Sequence, residues 1–179
     1  MVTMSRIHFS VRNRPIWMLS LAMLLAAIQV GGATGQALQK KSPKKYDDLT
    51  LRGRVVWLAE AMARRYGVKT VPEAATRVLA LETTDGKLFP LAEDIRGRGF
   101  RRDERLRKVD LELFVRRYHG APVIQVIRAY ELTREAKFEL DYWCDICAIA
   151  MFELKPCDCC QGDIELRRRI VDKDGVTTD

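Results

Sequence analysis

All five cysteines of this chain fall in one short stretch, at Cys144, Cys147, Cys157, Cys159 and Cys160. Two C-x-x-C pairs can be drawn, Cys144/Cys147 and Cys157/Cys160, and Cys159 is left over inside the second. A C-x-x-C turn is tight and points its two sulfurs the same way. Residues 148–156 are long enough to form a hairpin that brings the two turns face to face. That pattern fits one tetrahedral metal ion held by Cys144, Cys147, Cys157 and Cys160, with Cys159 as a spare thiol or an alternative ligand.

The ligands would all be thiolates, because neither His8 nor His119 is near. Soft sulfur donors select Zn(II), Cu(I) or iron–sulfur chemistry. A closed four-thiolate site leaves no position open for substrate or water, so its expected role is structural and its expected ion is zinc. The alternative is an exported thiol-active protein in which Cys144/Cys147 or the Cys157–Cys160 cluster exchanges disulfides or carries Cu(I).

Three rival readings of the cysteines can be weighed. Trp143-Cys144-Asp145-Ile146-Cys147 resembles the W-C-x-x-C of thioredoxin-type oxidoreductases, but too little chain follows Cys147 to build that domain. Haem attachment needs His after the second cysteine, and Ala148 stands there. Structural disulfides stay open, although five cysteines cannot all pair within one chain.

The rest of the sequence bounds the class. At 179 residues, 47% hydrophobic and 31% charged, the chain can build one packed domain with a small appendage. Net charge is +7, and Arg6, Arg12 and Arg14 supply three of those charges without a neighbouring acid. Residues 1–35 read as a signal peptide: those arginines, an apolar run over 16–30, then Gly31, Gly32, Ala33, Thr34 and Gly35. The apolar run is shorter than the roughly 20 residues that span a bilayer. Cleavage near 33–35 and export to the periplasm or exterior are therefore expected. The alternative is an uncleaved N-terminal anchor, the only membrane contact the sequence suggests. Residues 36–48 read as a basic, flexible linker through Lys40, Lys41, Lys44 and Lys45, able to touch an anionic surface. Residues 171–179 read as a polar tail.

From Leu49 the pattern is mainly β, within an α+β class. A strand is expected over 49–57, and a helix over 58–66 that stops at Gly67. Strands over 77–83 and 88–91 are joined by Asp85-Gly86, a pair that accepts hairpin dihedrals. A loop and short helix follow over 94–108. Leu111, Leu113 and Val115 then share one face of a strand, whose hairpin partner over 122–130 lies across His119-Gly120. Another alternating strand runs over 137–143, and a last one over 163–167. The segment Arg96-Gly97-Arg98-Gly99-Phe100-Arg101-Arg102 is like RGG-type RNA-binding segments, with Phe100 available to stack on a base. Its plainer reading is a solvated loop whose arginines meet Asp94, Asp103 and Glu104. No G-x-S-x-G, H-E-x-x-H or phosphate-cradling glycine loop occurs, and His119 reads as a turn residue, so catalysis is not expected.

The element order over 49–133 resembles an OB-fold: strand, hairpin, short helix, two strands. The resemblance implies a small β-barrel with a binding face for an oligonucleotide, an oligosaccharide or another protein. Nucleic acid is the expected partner only if the N-terminus is not an export signal. Residues 134–170 resemble a zinc-ribbon hairpin module, although Ala148 and Gln161 stand where ribbons usually carry glycine. The W-C-x-x-C…C-x-C-C-Q-G ending also resembles a family of small exported bacterial proteins, a likeness that supplies no activity.

Overall fold

The first strand alternates along nearly its whole length. In β1 (Tyr46–Trp57) Leu49, Leu51 and Val55 turn inward while Asp48, Arg52 and Arg54 turn outward. The structure, a computed structural model, describes residues 44–172, 175, 177 and 178. The expected signal peptide, and the linker as far as Pro43, lie outside the described residues. The end of that linker needs a correction, because Tyr46, Asp47 and Asp48 are already strand, paired with Tyr118, Arg117 and Arg116. Ion pairs Asp48–Arg116 (3.3 Å) and Asp47–Arg117 (3.1 Å) and an edge-on contact between the Tyr46 and Tyr118 rings hold them there. His119 donates its backbone N–H to Lys45 and sits 3.1 Å from Asp47.

Helix α1 (Leu58–Tyr66) follows directly and ends at Gly67, whose φ of 68° is left-handed and costs glycine nothing. Strands β2 (Leu79–Thr83) and β3 (Leu88–Pro90) form the expected hairpin, with Gly86 at φ 82°. Helix α2 (Ile95–Arg102) is capped by Asp94, which accepts the N–H groups of Arg96 and Gly97. Strands β4 (Leu111–Tyr118), β5 (Ile124–Leu132), β6 (Lys137–Cys144), β7 (Ile149–Met151), β8 (Glu165–Val171) and β9 (Thr177–Thr178) complete the chain.

All ladders are antiparallel, in the order β3-β2-β1-β4-β5-β6-β8-β9, with β7 on β6. The sheet is not closed into a barrel. The end of β3 approaches β5 through one isolated parallel bridge, Leu91 to Ile124, with Ala92 donating to the Ile124 carbonyl at 2.8 Å. Pro90 has no N–H for a ladder, which helps to keep β3 short.

The core is continuous from the first strands to the cysteines. Leu81, Leu111, Leu113 and Val115 are fully buried in the same cluster as Tyr142, Cys144, Met151, Cys157 and Ile164. Strand β6 pairs with both β5 and β8, so the sheet runs unbroken through the junction near residue 133. Among the described residues no helix is long and apolar enough to cross a membrane.

Residues 96–102 are helical, and Phe100 lies in the core at 2% exposure. The expectation that its ring is offered to a base is therefore corrected. An aromatic residue on the inner side of a short helix removes more apolar surface from water than it would in a loop.

Candidate metal centre

Cys144 is the last residue of β6 and, like Tyr142, points into the core, whereas Trp143 turns outward under the Arg167 guanidinium. The chain then turns through Asp145, Ile146 and Cys147 into β7, which pairs back onto Tyr142, Trp143 and Cys144. The second turn, Cys157 to Cys160, precedes β8, which lies along the other side of β6. The two knuckles thus meet at one end of a three-stranded platform.

Their backbones are alike. Ala148 N–H donates to the Cys144 carbonyl at 2.8 Å, and Gln161 N–H to the Cys157 carbonyl at 2.9 Å. Ala148 (φ 51°) and Gln161 (φ 60°) are the non-glycine residues with left-handed backbones among the described residues. They occupy the two positions after the knuckles where a ribbon usually has glycine. A side chain strains that conformation. Ala148→Gly and Gln161→Gly are each expected to stabilise the protein by about 0.5–1 kcal/mol, the released strain less the extra freedom of glycine in the unfolded chain. A denaturant melt showing a loss of stability for both would contradict this.

The sulfurs of Cys144, Cys147, Cys157 and Cys160 all lie within 4.8 Å of one another, and those of Cys144 and Cys160 are 3.5 Å apart. Four sulfurs around a zinc ion at about 2.3 Å form a tetrahedron with edges of about 3.8 Å, so the cluster is close to that size. All five cysteines are free thiols. Cys144 and Cys157 are fully buried, Cys147 and Cys160 half-buried, and Cys159 is exposed outside the four.

The thiols are unequal. The N–H groups of Cys160 and then Cys159 point at the Cys157 sulfur and bring its pKa down to about 7. At Cys144 the Cys147 N–H is the largest influence and favours the thiolate, but desolvation and the Cys160 and Cys157 thiols together raise it. Cys147 is raised, first by the Cys159 thiol and then by Cys160. Gly162 adds an N–H 3.4 Å from the Cys160 sulfur. Backbone N–H groups aimed at sulfur favour thiolates, the form a metal takes.

Between the knuckles lies a residue that sequence spacing does not reveal. Glu153 is 1% exposed, and Arg98 reaches it from α2 with bonds of 2.6 to 3.1 Å, with Arg102 at 3.4 Å. The only sequence signal was an acid set in the otherwise apolar run Met151-Phe152-Glu153-Leu154. Arg98 and Arg102 therefore do not meet Asp94, Asp103 or Glu104. Arg101 pairs with Glu93 and with the carbonyls of Thr76 and Arg77. Arg96 lies over the Phe152 ring, 3.4 Å from its centroid. Gly99 lets α2 approach this loop, because a Cβ there would stand 2.5 Å from the Phe152 carbonyl oxygen. Gly99→Ala is expected to push the loop off α2 and cost about 1–3 kcal/mol in a thermal melt.

Beneath the first knuckle, the Tyr142 hydroxyl donates to Asp103 at 2.8 Å, and Arg105 binds the same carboxylate. Burial, then the Asp103 bond, pushes the Tyr142 pKa far up, so the phenol stays a neutral donor.

Fold and site define a mainly β protein carrying four clustered cysteines able to hold a metal ion. Comparison with protein-family models, with curated proteins and with solved structures finds no match.

Proposed function

We propose that this chain is an exported, non-catalytic protein in which Cys144, Cys147, Cys157 and Cys160 hold one structural Zn(II), and in which an OB-like module presents a binding face. The observation that carries the metal reading is the convergence of four sulfurs within 4.8 Å on two matched knuckles. Zinc is favoured because an all-thiolate, closed, tetrahedral set is the form of its structural sites. When bound, the ion would cross-link the β6–β7 turn to the chain entering β8. The protein's own residues do the rest: backbone N–H groups stabilise the thiolates, and Glu153 ties the intervening loop to α2.

The OB-like reading rests on connectivity. β1 pairs with both β2 and β4, β5 lies beyond β4, and the end of β3 reaches β5 at Leu91. Helix α2 falls between β3 and β4, as in that fold. Export rests on the arginines, apolar run and small residues of the N-terminus.

Metal content and thiol count on protein purified from the exported fraction test the proposal together. One zinc per chain with Cys159 as the reactive thiol supports it. No metal, with only one thiol titrating in denaturant, means two disulfides and overturns it. Bound copper would reassign the centre to Cu(I) handling. Mass spectrometry of the N-terminus tests export: cleavage at 33–35 supports it, and an intact Met1 in soluble cytoplasm would restore the nucleic-acid reading.

A further inference from the structure

A partly enclosed cavity of about 30 Å³ lies between α2, β5, β6 and the loop that carries Phe152. Its inner walls are apolar: Phe100, Leu106, Val126, Ala129 and Leu140. Two charged residues line it, Asp141 and Arg96. Asp141 is already engaged, with Arg167 at 2.9 and 3.0 Å and Arg169 at 3.0 Å.

Arg96 is different. It is half-buried, and its guanidinium is stacked on the Phe152 ring. Its backbone N–H donates to the Asp94 cap, yet among the described residues the guanidinium donates no hydrogen bond. The other arginines of α2 all bind a carboxylate or a carbonyl: Arg98 and Arg102 reach Glu153, and Arg101 reaches Glu93. The acids whose charge reaches Arg96 have other partners. Asp94 caps the helix and accepts from Gln125, Glu139 binds Arg169, and Asp141 binds Arg167 and Arg169. A guanidinium offers five N–H donors in a planar fork, and leaving them unbonded while partly desolvated is unfavourable. Ring stacking holds the fork flat and leaves its edge free, the geometry that a carboxylate meets with two parallel bonds.

We propose that Arg96 and this cavity form a binding site for a small organic carboxylate. The carboxylate pairs with the Arg96 edge, and a short alkyl group enters the space between Phe100, Val126 and Leu140. The space admits about two water molecules, which limits the buried part to one or two carbons. Such a group occurs in a free short-chain acid and in the C-terminal alanine of a peptide. None of the four thiols lines the site, although β6, β8 and the loop that carries Phe152 supply part of its wall.

The test is an NMR titration of the purified full-length chain, followed at the Arg96 Nε–H, with sodium propionate and with the dipeptide Gly-Ala. Propionamide, amidated Gly-Ala and sodium chloride at matched ionic strength are the controls. A saturable shift at Arg96 with an acid, at least ten times weaker with its amide, supports the site. The acid that saturates first tells a free acid from a chain terminus. Arg96→Gln is expected to abolish the response at Leu140 and Tyr142 while the protein stays folded: the backbone N–H that caps onto Asp94 is kept, and the guanidinium contributes only its contact with the Phe152 ring. Ala129→Leu should fill the cavity and weaken propionate binding with Arg96 intact. Non-saturating shifts, equal shifts with the amides or with chloride, or an unchanged response in Arg96→Gln would each overturn it.

Discussion

Replacing Cys157 with serine is expected to unfold the C-terminal part of the sheet and to release the metal. Cys157 is fully buried and belongs to the same apolar cluster as Tyr142, Cys144, Met151 and Ile164. It also accepts the N–H groups that hold its thiol below the usual range. Serine keeps the shape but supplies a hard hydroxyl that stays protonated, so a closed tetrahedral set loses a ligand it cannot replace with water. Structural zinc sites contribute on the order of 10 kcal/mol of folding free energy, more than the whole stability of many domains. The loss should show as amide exchange throughout β6, β7 and β8 and as collapse of the near-ultraviolet signal of Trp143. A strong chelator should reproduce it in the parent protein, and zinc should reverse it. A Cys157→Ser protein that melts within a few degrees of the parent would sink the structural-metal reading. Cys159→Ser provides the contrast: that thiol is exposed and outside the four, so the variant should keep both metal and fold.

The second large effect concerns Glu153. Removing both Arg98 and Arg102 by alanine substitution leaves a carboxylate that is 1% exposed with neither of its partners. Stranding a buried charge in this way costs about 3–5 kcal/mol, and the lower end applies here because both arginine heads sit partly in water. Glu153→Gln should cost less than the double arginine variant. It removes the charge that needs solvation, keeps the volume, and returns two half-exposed arginines to solvent. Chemical denaturation of the three proteins decides the order. If Glu153→Gln proves the more damaging, the pair acts through its charge attraction and not through relief of burial.

These arginines also show where a linear reading reaches its limit. Arg96-Gly97-Arg98-Gly99-Phe100-Arg101-Arg102 has the composition of a solvated or polyanion-binding loop. In the fold it is a helix whose phenyl ring is core, whose Gly99 admits a carbonyl, and whose arginines grip a loop more than fifty residues away. Composition could not reveal this, because it depends on α2 meeting the loop between the knuckles. The end of the linker failed for a similar reason: Asp47 and Asp48 look solvated until Arg116 and Arg117 stand beside them.

What the sequence determined by itself is what short-range geometry controls. C-x-x-C spacing specifies two sulfur-bearing turns, Asp85-Gly86 the β2–β3 hairpin, and Gly67 the end of α1. Alternation also assigns Leu111, Leu113 and Val115 to the buried side of β4. Tertiary structure alone decided which turns face each other, that β6 carries one core from the first strands to the cysteines, and that the sheet stays open but for one bridge at Leu91. It also placed a buried glutamate between the knuckles and, among the described residues, left the Arg96 guanidinium without a hydrogen bond. Those outcomes are set by contacts between residues far apart in the chain, whose energies depend on burial and on partners that no local pattern specifies.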